Sequence, residues 1–450
     1  MLSAYEGVFK NLWVLSGLAR RGDHPPVAPT FAVLDGLSPV GARPDYGDRV
    51  LIVLVFACVL LVAVLVSGLA NRTILSTSVL FLVAGFVLGD GVLGAVRVAA
   101  NDDLVGRLAE LALFSVLFTD GMRVALDQLR SAWRLPGRAL LLGLPLTLVV
   151  TAAFARYLGG LPWAEAFLVG AVLCPTDPVF AAAIVGREEI PYRLRNLLNV
   201  ESGLNDGLAL PIVIVLLAVV GTDSVHVASL TGEVFAGIGI GIGIPFVAIR
   251  LERSRFFHAT ALYEPLNAFA IGLVVLALSS LTHANAFLAA FSAGITVATM
   301  SPAIREAFHE FGELVAELLK LVALLVFGAL ISPKFLGEIP LTGYLFAVVA
   351  LFVARPVSLA VALIGSSLRV RERIAAAWFG PKGFASVVYG LLILRSGIAA
   401  RSELFHLVAL VVVASIIAHS STDVVVARWF EPGVIAQPST LLEVDDDGPM

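Results

Sequence analysis

The 450-residue chain is far more apolar than a soluble protein: 59% of its residues are hydrophobic and 14% are charged, whereas about 25% of a soluble domain is charged. The net charge of −4 gives no sign of a nucleic-acid partner, and we expect none. The sequence has neither a Walker-type phosphate loop nor a dinucleotide fingerprint, which argues against direct use of ATP or NAD. Cys58 and Cys174, the two cysteines, lie within apolar segments, so neither a disulfide framework nor a cysteine metal site is expected.

The apolar residues are grouped in segments of about 20, the length of helix that crosses the hydrocarbon of a bilayer. Because lipid offers no hydrogen-bond partner to the backbone, such segments are expected to be helices. The sequence therefore predicts an all-α polytopic membrane protein with about 13 transmembrane helices, whose ends are defined to within a few residues. The predicted segments 1 to 13 cover residues 49–70, 75–97, 104–122, 138–158, 165–186, 196–220, 230–250, 264–282, 285–300, 313–331, 343–366, 374–395 and 404–427.

Arginine clusters indicate how the segments are oriented. They occupy the loops after segments 3, 5, 7 and 11, whereas the alternate loops hold at most two basic residues. The clusters are Arg123, Arg130, Arg134, Arg138; Arg187, Arg193, Arg195; Arg250, Arg253, Arg255; and Arg369, Arg371, Arg373. The positive-inside rule then predicts a cytoplasmic C-terminus and an N-terminus outside the cell membrane. Four arginines of the N-terminal tail run against this orientation: Arg20, Arg21, Arg43 and Arg49.

A small set of ionisable residues lies deep within the predicted spans. The set is Asp177, Glu201, Asp206, Lys320, Arg355 and Lys382, with Asp120 near the end of segment 3. Each charge costs at least about 2.5 kcal/mol at the bilayer centre, so an intramembrane charge indicates function by default. The alternative is an ion pair that only holds helices together, which we weigh mainly for Glu201 and Arg355.

Segment 6 contains the polar run VESGLNDG at residues 200–207. Residues four apart are neighbours on a helix, so Ser202 and Asp206 share one column while Glu201 and Asn205 share the next. The run therefore presents a polar face inside an otherwise apolar helix. The carboxylate of Asp206 and the hydroxyl of Ser202 are hard oxygen ligands suited to a small cation.

Segment 5 is interrupted by the run CPTDP at residues 174–178. Proline removes a backbone donor and clashes with the preceding turn, so the helix is expected to break here. Asp177 followed by Pro178 is typical of a helix N-cap with proline at the first helical position. A kinked helix with a capping aspartate is the alternative.

Segment 12 is interrupted at a similar depth by GPKG at residues 380–383. Interrupted spans in corresponding positions of two halves point to the binding site of a secondary transporter. Segments 1–6 and 8–13, separated by segment 7, are thus candidate inverted repeats. Broken helices expose backbone carbonyls and helix dipoles. The positive charge of Lys382 can offset these dipoles or the acids opposite.

Other features are predicted to lie outside the site. Three histidines are interpreted as packing or interfacial residues: His283, His406 and His419. The glycine-rich run GIGIGIGIP at 237–245 lacks the strand and the GKS of a phosphate loop, and so predicts close helix packing. For Lys320 three alternatives stay open: facing a cavity, pairing with Glu313 or Glu317, or snorkelling.

The runs PTDP, VESGLNDG and ARP (354–356), with the glycine-bounded Lys382 in the penultimate span, resemble the sodium–proton exchanger and NhaP-type family of cation–proton antiporters. The spacing between TDP and ESGLNDG carries the resemblance, which covers roughly residues 50–427. It implies a homodimer whose protomers each have a dimer-forming scaffold and a mobile six-helix core that carries the ion.

The resemblance also implies a division of the chain. The N-terminal tail is 1–48 and the C-terminal tail is 428–450. The predicted parts between them are scaffold and dimerisation helices at 49–135, the first half of the core at 136–221, a linker helix and scaffold at 222–340, and the second half of the core at 341–427.

By the same resemblance, Asp206 corresponds to the essential ion- and proton-binding aspartate, with Asn205 as its neutral neighbour. Asp177 and Thr176 correspond to the companion pair on the broken helix, and Ser202 to a further oxygen ligand. Asp206 and Asp177 would thus hold a monovalent cation.

Glu201 and Arg355 correspond to the buried ion pair of the family, and Lys382 to a charge-compensating residue. Two departures affect these roles. The family commonly has arginine where this chain has Lys382, and lysine can lose its proton when buried. In segment 3 the family often has an acid directly after a phenylalanine, where this chain has Thr119, with Asp120 one residue later.

The predicted function is electroneutral antiport of Na⁺ (or K⁺ or Li⁺) against H⁺, with both ions competing for Asp206. The expected partners are the transported ions, membrane lipids and a second copy of the chain, and no cofactor or enzymatic activity is expected. The alternatives are a cation channel, an intramembrane hydrolase built on paired aspartates, and a proton-coupled carrier of another solute.

Overall fold

The computed structural model describes residues 46–70, 77–89, 91–95, 98, 102–124, 133–177, 190–221, 227–254, 260 and 263–430. Within these residues, all regular secondary structure is helical. Several predicted features lie outside the described residues: most of both tails, Pro178 with the rest of segment 5, and the arginines of the loops at 130 and 187.

The helices follow the apolar segments in order. In the first half they are α1 (Tyr46–Ala70), α2 (Thr77–Leu88), α3 (Asp103–Arg123), α4 (Arg134–Tyr157), α5 (Trp163–Leu173) and α6 (Tyr192–Val220). The middle of the chain forms α7 (Val227–Glu252), α8 (Glu264–Thr282), α9 (Ala286–Met300), α10 (Pro302–Ala329) and the short α11 (Pro333–Glu338). The last part forms α12 (Leu341–Ala362), α13 (Val370–Trp378), α14 (Phe384–Arg395) and α15 (Arg401–Ala427), followed by a 3₁₀ turn (Arg428–Phe430).

Six of the described helical stretches are long and apolar enough to cross a membrane: Arg134–Tyr157, Tyr192–Val220, Ser229–Glu252, Glu264–Thr282, Leu341–Ala362 and Arg401–Thr422. Five shorter stretches are also apolar: Leu51–Leu65, Thr77–Leu88, Trp163–Leu173, Ala286–Met300 and Phe384–Arg395. The all-α membrane architecture is therefore confirmed, whereas the count of thirteen crossings stays a prediction.

The helices pack in two groups. In one group α3 contacts α9 and α10, α9 contacts α7, and α10 contacts α2 and α8. In the other, α5 contacts α4 and α6, α14 contacts α15, and α12 contacts α4. The groups join where α3 contacts α6 and α14, and also where α6 contacts α9, α10 contacts α14 and α2 contacts α15. The predicted division into scaffold and core, with its boundaries, stays a prediction.

Two helices contain a π-helical turn at matching places of the proposed repeats. Ala139–Gly143 forms it in α4, and Ala350–Ala354 forms it in α12. Each turn is followed at its second residue by a proline, Pro145 or Pro356, which lacks the N–H that a regular helix would use there. Mid-helix π turns of this kind are frequent at functional sites.

The glycine-rich run lies in α7 and packs against α9. A Cβ atom at Gly237 would overlap the carbonyl of Asn285, and one at Gly241 would overlap the carbonyl of Ala289. Close helix packing, as predicted from the run, thus occurs at these two glycines. Gly239 and Gly243 face open space instead.

Both interruptions are present where the described residues cover them. Helix α5 ends at Leu173, and residues 174–177, the last described residues of this segment, are non-helical. Helix α13 ends at Trp378 and α14 begins at Phe384, which leaves five residues between them in non-helical conformation.

Candidate functional site

The two interrupted segments contact each other and are joined by hydrogen bonds. The backbone N–H of Asp177 donates to the carbonyl of Pro381 at 3.0 Å. The backbone N–H of Phe384, the first residue of α14, donates to Oδ2 of Asp177 at 3.1 Å. The Asp177 carboxylate therefore lies at the N-terminus of α14, where the helix dipole favours negative charge.

Glycines in the second break allow this close approach. A Cβ atom at Gly383 would overlap the side chain of Asp177, and one at Gly380 would overlap the guanidinium of Arg355. The GPKG run therefore brings the backbone of the break against two charged side chains, which a residue with a Cβ could not do.

Helix α6 turns part of its polar face toward the first break. Nδ2 of Asn205 donates to Oγ1 of Thr176 at 2.7 Å, and that oxygen lies 3.4 Å from Oγ of Ser202. All three residues are buried. Within the described part of the chain, Oδ1 of Asn205 has no hydrogen-bond partner. A buried amide oxygen without a donor is an available ligand for a cation or a water molecule.

Asp206 is buried beside this cluster, with 4% of its surface exposed. The hydroxyl of Tyr389 from α14 donates to the backbone carbonyl of Asp206 at 3.0 Å, so this contact does not involve the Asp206 carboxylate. The charges of Asp120, Asp177 and Lys320 all act on the carboxylate of Asp206. The structure thus brings the two predicted aspartates into one electrostatic neighbourhood.

Glu201 and Arg355 form a buried bidentate ion pair. Nη1 and Nη2 of Arg355 donate to Oε1 and Oε2 of Glu201 at 2.6 and 3.0 Å. Nη2 also donates to the carbonyl of Phe379 at 3.0 Å, in the second break. The pair therefore ties α6 and α12 to the break, in the geometry that suits a guanidinium and a carboxylate.

Lys382 is held by its backbone rather than by its side chain. Its N–H donates to Oγ of Ser415 at 2.7 Å. Its Nζ is buried and makes no hydrogen bond to any described residue. The charges that act on it include those of Arg355 and Glu201. Its predicted charge-compensating role stays a prediction.

A cavity of about 490 Å³ lies between α3 and α10, and ionisable side chains line it. Asp120 accepts from Arg123 at 3.0 Å, and Arg123 also donates to Glu313 at 3.0 Å. Lys320 pairs with Glu317 at 2.7 Å. Of the three alternatives for Lys320, the structure therefore shows two together: it faces a cavity, and it pairs with Glu317.

A family model described as "Sodium/hydrogen exchanger, transmembrane" matches residues 57–429. The chain belongs to this family. Sodium/hydrogen exchangers are transporters and not enzymes, so family membership confirms the prediction that the protein is not an enzyme.

Among its relatives, the K(+)/H(+) antiporter NhaP of Alkalimonas amylolytica is 26% identical over 390 residues, covering 85% of this chain and 67% of that protein. The low-affinity Na(+)/H(+) antiporter NhaS1 of Synechocystis sp. is 25% identical over 353 residues, covering 72% of this chain and 64% of that protein. The chain thus spans about two thirds of the length of these relatives.

The fold is similar to that of the sodium proton antiporter MjNhaP1 from Methanocaldococcus jannaschii. The TM-score is 0.70 at 19% identity, and the match covers 85% of this chain and 98% of that one. The fold of this chain is therefore that of the antiporter structure.

Several residues around this exchanger site were not predicted from the sequence. Oγ of Ser386 donates to the carbonyl of Val172, near the end of α5, at 2.8 Å. Ser386 and Tyr389 lie three residues apart on α14 and face the same way. The available signal in the sequence was polar residues at helical spacing just after an interruption.

Proposed function

We propose that this exchanger transports a monovalent cation in one direction and a proton in the other, and that both compete for Asp206. One observation carries the proposal: the contact between two interrupted segments holds Asp177 beside a buried oxygen cluster, within electrostatic reach of Asp206. Ionisable residues inside membrane spans mark ion pathways.

The proposed cation ligands are oxygens from two segments. Asp206 and Ser202 supply a carboxylate and a hydroxyl from α6, and Asp177 and Thr176 supply oxygens from the first break. Asn205 contributes through its Oδ1 atom, which has no hydrogen-bond partner within the described residues. Hard oxygen donors of this kind suit alkali cations.

Coupling follows because the carboxylate of Asp206 can hold a proton or a cation, but not both at once. A carboxylate in a low-dielectric environment is stabilised either by a proton or by a nearby cation. If the site changes its access only when loaded, each inward movement of one ion is tied to outward movement of the other. Each pH unit then supplies about 1.4 kcal/mol of driving force.

The wider arrangement follows from the same proposal. The α3–α10 cavity, whose lining acids outnumber its bases, serves as the approach for hydrated cations. The helices around the two breaks form the moving core and the α3 group forms the scaffold of a homodimer. The protein lies in the cell membrane with its C-terminus in the cytoplasm.

We further propose one-for-one, electroneutral exchange. The residue beside Asp206 is the amide Asn205, which binds no proton near neutral pH. Asp177 lies at the N-terminus of α14 and accepts the N–H of Phe384 there, so we assign the exchanged proton to Asp206 alone. One carboxylate is then left to exchange one proton for one cation.

The test is transport by the purified protein in liposomes. An imposed gradient of Na⁺, K⁺ or Li⁺ should acidify or alkalise the lumen, and an imposed pH gradient should drive the cation the opposite way. A channel would pass the cation with no opposite movement of protons, and a carrier of another solute would move protons only when that solute is present. Either outcome would overturn the proposal. The three cations are compared because the named relatives include a K⁺ and an Na⁺ antiporter.

A further inference from the structure

The second break lacks a helical hydrogen bond that two residues of α15 replace. In a continuous helix the N–H of Lys382 would donate to the carbonyl of Trp378, four residues earlier. Instead, Lys382 donates to Oγ of Ser415 at 2.7 Å. The carbonyl of Trp378 faces Nε2 of His419 at 3.0 Å.

Ser415 and His419 are themselves joined. They lie four residues apart on α15, and Nδ1 of His419 is 3.2 Å from Oγ and 2.8 Å from the carbonyl of Ser415. The N–H of Lys382 and the carbonyl of Trp378, which also accepts the N–H of Gly380 at 2.9 Å, are therefore connected through two side chains of another helix. We call this pair the Ser415–His419 bridge.

The bridge is buried and well packed. Ser415 is 0% exposed and His419 is 1% exposed. The imidazole stacks on the indole of Trp378 with ring centres 4.9 Å apart. The carbonyls of Trp378 and Ser415 can only accept, so a neutral His419 ring donates to one of them; the bridge requires the proton on Nε2, with Nδ1 accepting from Oγ of Ser415.

The bridge acts at the point where Asp177 is held. Lys382 stands between Pro381, whose carbonyl accepts the N–H of Asp177, and Phe384, whose N–H donates to the carboxylate of Asp177. Fixing the N–H of Lys382 therefore fixes the backbone between the two contacts that orient Asp177.

We propose that Ser415 and His419 are positioning residues for the cation site, acting through the backbone of the second break. The proposal deepens the function proposed above and rests on it for its transport readout. Neither residue touches the ion, so the bridge acts on cation affinity through the placement of Asp177.

The variants that test this are Ser415→Ala, which removes the link, and Ser415→Thr, which retains the hydroxyl. The matched control is Thr422→Val on the same helix, because Thr422 accepts from Nε1 of Trp378 at 2.9 Å but makes no bond to the break's backbone. KM for the cation and maximal rate are measured in liposomes, with the thermal midpoint of each variant.

Ser415→Ala should raise KM about fivefold, the effect expected for the loss of one hydrogen bond. Ser415→Thr should restore the wild-type KM, and Thr422→Val should leave it unchanged even if its thermal midpoint falls. The double variant Ser415→Ala/His419→Gln should show no greater KM than the worse single variant. A wild-type KM in Ser415→Ala, or an equal rise in Thr422→Val, would overturn the proposal.

A second measurement does not depend on transport or on the folding of any Ser415 variant. The chain has seven histidines, so ¹⁵N-histidine labelling gives few ring signals, and His419→Gln identifies the signal of His419. The wild-type ring should be protonated at Nε2. A ring protonated only at Nδ1 would refute the bridge, whereas absent transport by wild-type protein with an Nε2 proton would refute only the proposed function.

Discussion

Gly383 lies directly against the side chain of Asp177, and no Cβ atom fits between them. The two residues are 206 positions apart and belong to the two interrupted segments. The same contact places the N-terminus of α14 at the carboxylate. The absence of a side chain at residue 383 is therefore a condition for the position of Asp177.

Gly383→Ala should displace Asp177 and weaken cation binding. Overpacking a buried contact costs about 1–3 kcal/mol, and 1.4 kcal/mol corresponds to about tenfold in affinity. We expect a rise in the cation KM of about tenfold or more in liposomes. Gly243→Ala is the control, because a Cβ atom at Gly243 meets open space. Equal KM values in the two variants would contradict the role of the contact.

Asp206→Asn should abolish cation-dependent proton movement while the protein still folds. The amide has a similar shape but cannot exchange a proton for a cation. The measurement is flux in liposomes, with the elution profile and thermal midpoint as checks on folding. Asp103→Asn, at the exposed start of α3, is a matched control that should transport normally. Normal exchange by Asp206→Asn would eliminate the mechanism.

The ion pair between Glu201 and Arg355 should behave as a unit in stability. Leaving one partner of a buried pair alone costs about 3–5 kcal/mol, whereas replacing both is often far less harmful. We expect Glu201→Gln and Arg355→Gln each to lower the thermal midpoint in detergent. The double variant should lose less stability than the two single losses added together. Strictly additive changes in a double-mutant cycle would show that the pair does not couple.

Sequence patterns predicted the helices well because long apolar runs leave the backbone no alternative to helix in lipid. The interruptions were also predictable from local sequence, because proline and glycine disrupt the helical turn in which they lie. Residues 174–177 and 379–383 leave the helix as these patterns indicate. The charges of the site were found because an ionisable residue is conspicuous in an apolar segment.

The contact between the two interruptions could not be predicted in detail, because it depends on contacts between residues about 200 positions apart. The sequence predicts that Asp177 caps its own helix, and the start of that helix lies outside the described residues; its contact with the first N–H of α14 is not visible in the sequence. The sequence predicts that His419 is an interfacial or packing residue. Its contact with Trp378 is visible only once α15 lies beside the break.

Lys382→Gln should leave the stoichiometry unchanged. In one-for-one exchange the proton is carried by Asp206 and no second proton moves through Lys382. Charge movement on a solid-supported membrane should show no sustained current for either the wild type or Lys382→Gln when a cation gradient is applied. One net charge would add about 2.3 kcal/mol per 100 mV to the driving force. A wild-type current that disappears in Lys382→Gln would assign the extra proton to the lysine.

Because hydrogen bonds join the two interruptions, the two are not free to bend independently. Bending either segment by itself would separate Asp177 from Pro381 and from Phe384, and would leave buried backbone groups without partners in a low-dielectric environment. Sliding at the surface where α3 meets α6 and α14 breaks none of these bonds. A conformational change that moves one interruption is therefore expected to carry the other with it, so that Asp177 keeps its contacts with Pro381 and Phe384.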